Sequence, residues 1–215
     1  MAAIEKQGRR AVFFNINAAD AEKRANAVET MAKTVAEDDS FVRVLLHSLA
    51  FGTLLPVIAA TPKEALSQRQ IEMTVDVMAN SLIYWAQDLA MKGLFRHGSR
   101  IFAMTSSGST RVIRSYGAVS AAKAALEAHI RQLAYEMAPL GVTANAIRAG
   151  VTDTPALRRI PEGIRLLGVA NERNPSGRAT QPQDIANAIA ALSDERLYWM
   201  TGNVLGIDGG EEITI

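Results

Sequence analysis

Short apolar runs alternate along the chain with longer segments in which apolar residues recur every three or four positions. The runs lie at 11–16, 41–46, 100–105, 142–147 and 203–207, and they predict buried strands. The longer segments between them predict helices. Apolar strands that alternate with helices are typical of a parallel sheet covered on both faces. We therefore predict the α/β class, with a doubly wound parallel sheet.

Local signals indicate where the helices begin and end. The first residues are typical of the last turns of a helix that stops near Gly8, and Asp20 is a candidate N-cap for the next helix. Thr61 and Glu64 have capping-box spacing around a proline at the first helical position. The remaining helices are predicted over 64–92, 116–138 and 183–193.

Composition narrows the class of protein. The 215 residues are 48% hydrophobic, which is enough for a substantial core, and the formal net charge is +1. That charge gives no reason to expect a nucleic-acid or membrane surface. The sequence has no cysteine, so disulfides and thiolate chemistry are excluded. No apolar run reaches membrane-spanning length, and we expect a cytoplasmic protein.

Candidate chemistry is concentrated in residues 105–126. The apolar run before this segment leads into a Ser/Gly cluster, and an Ala-rich stretch follows with Tyr116 and Lys123 near its start. Seven residues make about two helical turns, so the pair would share one helix face about 10 Å apart. A Tyr and a Lys at this spacing are also common on solvated helix faces, and that interpretation stays open.

The order of strand, Ser cluster and helix resembles the short-chain dehydrogenase/reductase superfamily, in which a Ser, a Tyr and a Lys share one active site. In most members the Tyr lies four residues before the Lys, a position held here by Val119. The wider Tyr-x6-Lys spacing and the Lys-Ala-Ala-Leu-Glu sequence from Lys123 resemble the enoyl-acyl carrier protein reductases. The resemblance implies that Tyr116 hydrogen-bonds or protonates an enolate oxygen, while Lys123 holds the cofactor ribose and lowers the Tyr pKa. Ser106 holds the place of the catalytic Ser, where enoyl reductases often have a second Tyr.

The wider spacing also has a chemical interpretation. When a ketone is reduced, charge develops on the oxygen of the carbon that accepts hydride. When an enoyl thioester is reduced, hydride adds at the β-carbon and charge collects on the more distant thioester oxygen. A donor for that oxygen must stand further from the nicotinamide, as a Tyr moved outward along the helix would.

Other positions resemble the cofactor-binding residues of the superfamily, and these lie where ligands bind, beyond the carboxyl ends of strands. The sequence from His47 to Gly52 resembles the Asn-Asn-Ala-Gly segment of the superfamily. The alternative is that His47 merely caps the end of its strand. Asn80 matches a helix Asn that orders water near the Lys, and a purely structural role is equally open. The cofactor-binding residues implied by the resemblance are His47, Ser48, Leu49, Ala50, Asn80, Lys123, Gly150, Val151 and Thr154.

In the last of these motifs, the Val151 backbone would meet the nicotinamide carboxamide and Thr154 the pyrophosphate. The following segment, 155–178, resembles the part of the family that covers substrate. Its Leu and Ile residues suit an acyl chain, and its five arginines could meet a phosphopantetheine or an acidic carrier protein. The alternative is that these arginines form a solvated helix face. No metal site is expected, because no His/Asp/Glu cluster has ligand spacing.

The superfamily opens with a strand, a Gly-rich turn and a helix, and no such turn occurs before residue 41. By resemblance, residue 1 falls in the helix before the third strand, so residues 1–215 are expected to form a single NAD(P)-binding Rossmann-like domain without its first two strands. We expect weak NAD(P)H binding by this chain, since the turn donates several N–H groups to the pyrophosphate.

The sequence as a whole indicates an NADPH- or NADH-dependent reductase of enoyl thioesters in fatty-acid synthesis. The substrate would be bound to acyl carrier protein or CoA. A homotetramer is expected, with contacts through helices 64–92 and 116–138, because the second helix is rich in alanine and the first carries Tyr84 and Trp85 as candidate interface anchors. Two alternatives stay open: a carbonyl reductase of the 3-oxoacyl or hydroxysteroid type, and a noncatalytic remnant.

Overall fold

The computed structural model describes residues 2–160 and 162–214, and its centre is a parallel sheet. The sheet has four strands in the order β1-β2-β3-β4: β1 Val44–His47, β2 Arg100–Thr105, β3 Thr143–Ala149 and β4 Val204–Ile207. Val44 lies opposite Arg100, Arg100 opposite Thr143, and Ala146 opposite Val204. All three pairings are parallel, so the predicted fold class is confirmed.

Helices connect the strands and cover the sheet. They are α1 Ala2–Glu5, α2 Ala21–Ala36, α3 Gln68–Val75, α4 Ser81–Met91, α5 Gly117–Glu136, α6 Gly163–Arg173 and α7 Pro182–Leu192. Asp20 caps α2 as predicted, because its side chain accepts a hydrogen bond from the Lys23 N–H. Helix α6 was not predicted as a helix and lies inside the expected substrate-covering segment. None of the helices described is long and apolar enough to cross a membrane.

The core lies between the sheet and the pair of helices α4 and α5. Its fully buried side chains come from both layers and include Leu82, Ile101, Leu126, Ile130 and Ala144. Burying a leucine or isoleucine of this kind is worth about 1.5–3 kcal/mol. Helix α5 packs on β2 and β3, so its first turn is held at the carboxyl ends of these strands.

The first predicted strand, 11–16, is not a strand in the structure. This segment has no regular secondary structure and pairs with no strand in the part of the chain that the structure describes, and a strand is stabilised by its ladder partner. Phe14 and Ile16 instead line an apolar groove beside β1, and the Trp85 indole donates to the Ala18 carbonyl at 3.0 Å. Trp85 is half-buried and packs against the core of its own chain, and its place at an interface stays a prediction.

Three other elements differ from the prediction. The Thr61 hydroxyl donates to the Glu64 carboxylate, and the Glu64 N–H donates to the Thr61 carbonyl, so these residues form a turn. Helix α3 nevertheless begins only at Gln68, because Ser67 and Gln70 make a complete capping box of their own. The predicted long helix is also interrupted by a π-helical turn over Asp76–Asn80. The strand predicted at 41–46 is shorter and later, since Val42 bonds to the Leu94 carbonyl before the ladder begins.

Candidate active site

A cleft of about 670 Å³ opens at the carboxyl ends of β1, β2 and β3, within the usual size range of a small-molecule site. The loop after β1 contributes Ser48, Ala50 and Phe51, and the loop after β3 contributes Thr154 and Arg159. Tyr116, Val119 and Lys123 enter from the start of α5, and Met78 enters from the π-helical turn. Tyr116 and Lys123 therefore line one cavity, as the sequence predicts.

Tyr116 stands at the end of its helix, as the N-cap residue of α5. The residue before it, Ser115, has φ 57°, a conformation that turns the chain sharply into the helix. The ring lies against Gly108, where a Cβ atom would come within 2.6 Å of it. Burial raises the pKa of Tyr116, and a hydrogen bond from Ser106 opposes that shift. The Tyr116 pKa is therefore raised, contrary to the expected lowering, because burial outweighs the nearby hydrogen bond.

Lys123 is buried, and its ammonium group is held by backbone carbonyls. Nζ donates to the Met104 carbonyl at 2.7 Å and to the Leu49 carbonyl at 3.4 Å. Burial lowers the pKa of Lys123 to about 8, and the Glu127 carboxylate one turn further along α5 opposes that shift. Glu127 in turn accepts from the Thr105 hydroxyl at 2.6 Å, which ties the helix to the end of β2.

His47 is buried at the end of β1 and is not among the residues that line the cleft. Its Nε2 lies 2.9 Å from the Ser81 hydroxyl, which itself donates to the Val77 carbonyl. Burial, with a smaller contribution from Lys123, lowers the pKa of His47 to about 4, so the ring is neutral at pH 7. The structure places this residue beside the helix rather than among the cleft-lining groups, while Ser48 and Ala50 line the cleft.

Asn80 is also separated from the Lys123 side of the cleft. Its Oδ1 lies 3.0 Å from Nε2 of His129 on α5, so the side chain joins two helices. This contact agrees with a structural role for Asn80, because it joins Asn80 to a side chain of another helix. The sequence does not indicate His129 as the partner.

The predicted cofactor-binding residues of the loop after β3 lie in two places, the cleft and the contact with the C-terminal segment. Thr154 lines the cleft, and its hydroxyl accepts a hydrogen bond from the Leu157 N–H at 3.2 Å. Gly150 and Val151 lie nearer to the C-terminal segment, where the Val151 N–H donates to the Glu211 carboxylate at 3.0 Å. Glu211 is 60 residues from Val151, and no local pattern could have revealed their contact.

Four of the five arginines of segment 155–178 are engaged within the chain. Arg158 pairs with Asp153, Arg165 with Glu162, and Arg178 with Asp184, while Arg173 donates to the Thr214 carbonyl. Arg159 differs from them because it lines the cleft. The sequence did not single out Arg159, since all five look alike as cationic positions.

The parallel sheet and the Tyr–Lys cleft at its carboxyl edge define a Rossmann-like protein of the short-chain dehydrogenase/reductase type. Within that class, residues 1–212 match the sequence profile of the family described as Enoyl-(Acyl carrier protein) reductase, and the chain belongs to that family.

Individual proteins with similar sequences or structures include reductases of the same kind. The chain is 29% identical over 195 residues to an NADH enoyl-acyl-carrier-protein reductase of Enterococcus faecalis, covering 87% of this chain and 74% of that protein. It is 34% identical over 122 residues to a 1-cyclohexenylcarbonyl-CoA reductase of Streptomyces collinus, covering 56% of this chain and 44% of the relative. The crystal structure of the Aquifex aeolicus enoyl-acyl-carrier-protein reductase (NADH) superposes with a TM-score of 0.77 at 26% identity, covering 92% of this chain and 74% of that one.

Proposed function

We propose that this chain reduces the 2,3-double bond of an enoyl thioester, with a reduced nicotinamide dinucleotide as hydride donor. The observation that carries the proposal is the shared cleft of Tyr116 and Lys123 at the carboxyl edge of a parallel sheet, at a spacing of seven residues. Family membership and enoyl-reducing relatives support the same reaction class.

The cleft residues suit a nicotinamide cofactor on the Lys123 side. A ribose presents two hydroxyl groups, and a buried ammonium already bonded to two carbonyls can also reach a third oxygen, since it has three donors. Ser48, Ala50 and Thr154 border the same space and would hold the rest of the cofactor. The family contains NADH-dependent relatives, and NADH or NADPH is proposed here. When bound, the dihydronicotinamide supplies hydride to the β-carbon of the substrate.

Tyr116 would act on the other end of the conjugated system. Its hydroxyl is neutral at pH 7, since the ordinary Tyr pKa is about 10 and burial raises it further, so it can donate a hydrogen bond to the thioester oxygen as charge collects there. Ser106 lies beside the ring and would orient the hydroxyl. Met78, Phe51 and Ile160 provide an apolar wall for the acyl chain.

The substrate carrier is proposed to be acyl carrier protein or CoA, in fatty-acid synthesis. Both end in a phosphopantetheine arm, and Arg159 is the cleft-lining arginine that could meet its phosphate. We further propose that residues 1–215 act as one NAD(P)-binding domain in the cytoplasm.

A homotetramer is proposed because α5 presents exposed alanines, Ala121, Ala124 and Ala128, on the face turned away from the core. Ala118, Ala122 and Ala134 are buried within the chain, so only part of the alanine-rich sequence is available for a partner helix. Small exposed residues allow two helix backbones to approach closely.

The experiment that tests the proposed function compares crotonyl-CoA reduction by the wild-type chain and the Tyr116→Phe variant at high NADPH or NADH concentration. Turnover should fall at least about tenfold, since one hydrogen bond to the developing oxyanion is lost. Tyr135→Phe is the matched control, because Tyr135 lies on the same helix and is 80% exposed. An unchanged rate in Tyr116→Phe would remove the mechanism. Faster turnover of 3-oxoacyl than of enoyl thioesters would favour carbonyl reduction, and no turnover of either would favour a noncatalytic chain.

A further inference from the structure

The Glu211 carboxylate covers the backbone of the loop that follows β3. Its Oε2 accepts the Val151 N–H at 3.0 Å. The same oxygen would lie 2.9 Å from a Cβ added to Gly150, so the carboxylate rests directly on this stretch of main chain. A backbone N–H at the carboxyl end of a parallel strand is a natural donor for a ligand carbonyl, and here a side chain of the same molecule accepts it.

The C-terminal segment holds Glu211 firmly in this position. Gly209 and Gly210 have φ values of 64° and 92°, so the chain reverses after β4 in a conformation that suits glycine. Arg111 forms an ion pair with Glu212 at 2.8 Å and also donates to its carbonyl at 3.0 Å. Arg173 donates to the Thr214 carbonyl. Both of these contacts lie after Glu211, and before it the Asn174 side chain donates to the Asp208 carbonyl at 2.7 Å. The turn is therefore held on both sides of Glu211, and the Glu211 side chain points back to Val151.

The electrostatic environment of Glu211 is unfavourable for a full negative charge. Burial raises the pKa of its carboxyl, the Val151 hydrogen bond opposes that shift, and the Asp208 charge raises it further. Arg173 and Glu212 act in opposite directions with smaller effects. The carboxylate form is therefore more easily protonated than an exposed glutamate, and a protonated carboxyl is a weaker acceptor for Val151.

We propose that the Glu211 carboxylate competes with the carboxamide of the nicotinamide cofactor for the Val151 N–H. The carboxamide must displace Glu211 from this N–H in order to bind. The inference rests on the proposed nicotinamide-dependent function. It assigns Glu211 a role in setting cofactor affinity, and it makes that affinity increase as the pH falls, because protonation of Glu211 releases the donor.

The test is a calorimetric titration of the full chain with two ligands, NAD⁺ and ADP-ribose, which lacks the nicotinamide. Glu211→Ala should bind NAD⁺ about tenfold more tightly than wild type at pH 8, the value of one competing charge-assisted hydrogen bond, and should bind ADP-ribose equally well. Wild-type affinity for NAD⁺ should rise as the pH is lowered from 8 towards the ordinary glutamate pKa of 4.5, and Glu211→Ala should lose that dependence. Glu172→Ala is the matched control, because Glu172 is an exposed glutamate on α6.

Several outcomes would overturn the inference. Weaker NAD⁺ binding by Glu211→Ala would mean that the carboxylate helps to hold the carboxamide. Equal tightening for NAD⁺ and ADP-ribose would mean that Glu211 merely repels the diphosphate. If NAD⁺ and ADP-ribose bind alike in all variants, only this inference fails. If neither ligand binds any variant that thermal unfolding shows to be folded, the proposed cofactor use fails and the inference fails with it.

Discussion

Replacing Lys123 by methionine should make the protein more stable at neutral pH while removing its proposed function. The side chain is 6% exposed, and burial lowers the pKa of its ammonium from 10.5 to about 8. A difference of this size corresponds to about 3 kcal/mol of unfavourable free energy in the charged form. Methionine has a similar shape and no charge, so Lys123→Met removes this cost. It also loses the short ammonium hydrogen bond to the Met104 carbonyl, worth about 1.5–3 kcal/mol, and a long, weak one to the Leu49 carbonyl.

The sign of the pH effect follows from the direction of the shift. Between pH 8 and pH 10.5 the unfolded chain holds the Lys123 proton more tightly than the folded chain, so the wild-type free energy of unfolding should rise with pH in this window. The stability advantage of Lys123→Met should therefore shrink by about 2 kcal/mol between pH 7 and pH 9.5.

Urea unfolding of both chains at these two pH values measures this difference. Lys63→Met serves as the control, since Lys63 is exposed and its substitution should give no such pH dependence. A difference between Lys123→Met and wild type that stays constant with pH would refute the reasoning, and so would a variant much less stable than wild type at both values. Loss of NADH binding in the more stable Lys123→Met chain would complete the picture of a functional group that costs stability.

Two further predictions concern the substrate and the assembly. Arg159→Gln should raise the KM for crotonyl-CoA about tenfold and leave the KM for a crotonyl thioester without phosphate unchanged. Arg165 pairs with Glu162, so the control Arg165→Gln should alter neither KM. Equal effects of Arg159→Gln on both substrates would contradict a phosphate contact. Ala128→Arg should reduce the particle mass measured by light scattering, unlike Ala36→Arg on the exposed end of α2. A wild-type chain that is monomeric at micromolar concentration would exclude the proposed tetramer.

The sequence predicted those elements whose signals are local and whose partners are within the described chain. Strand 100–105 contains the unbroken apolar run 101–104 and forms β2 with the predicted bounds, because it has neighbours on both sides. Segment 11–16 has a similar pattern, but its residues pair with no described strand. Pattern alone specifies what can be a strand, whereas pairing decides what becomes one.

The site was predictable to the extent that its residues lie on one stretch of chain. Tyr116 and Lys123 were found because one helix carries both. His47, Asn80 and Glu211 were harder, since their partners Ser81, His129 and Val151 are brought to them only by folding. Glu127 ends the Lys-Ala-Ala-Leu-Glu sequence, and its spacing of four residues from Lys123 places both side chains on one helix face.

The π-helical turn at Asp76–Asn80 has a consequence for how this segment can change. A π turn contains about one residue more than an α turn, and each residue of a helix rotates its successors by about 100°. Met78 reaches the cleft while Ser81, on the next helix, reaches His47. Deleting one residue here would swing one half of the helix a quarter turn or more relative to the other, so that one of these contacts would be lost. This segment should consequently tolerate no insertion or deletion of a residue. The irregular loop between β1 and α3 should tolerate a change in length better, because it has no helical rotation to preserve.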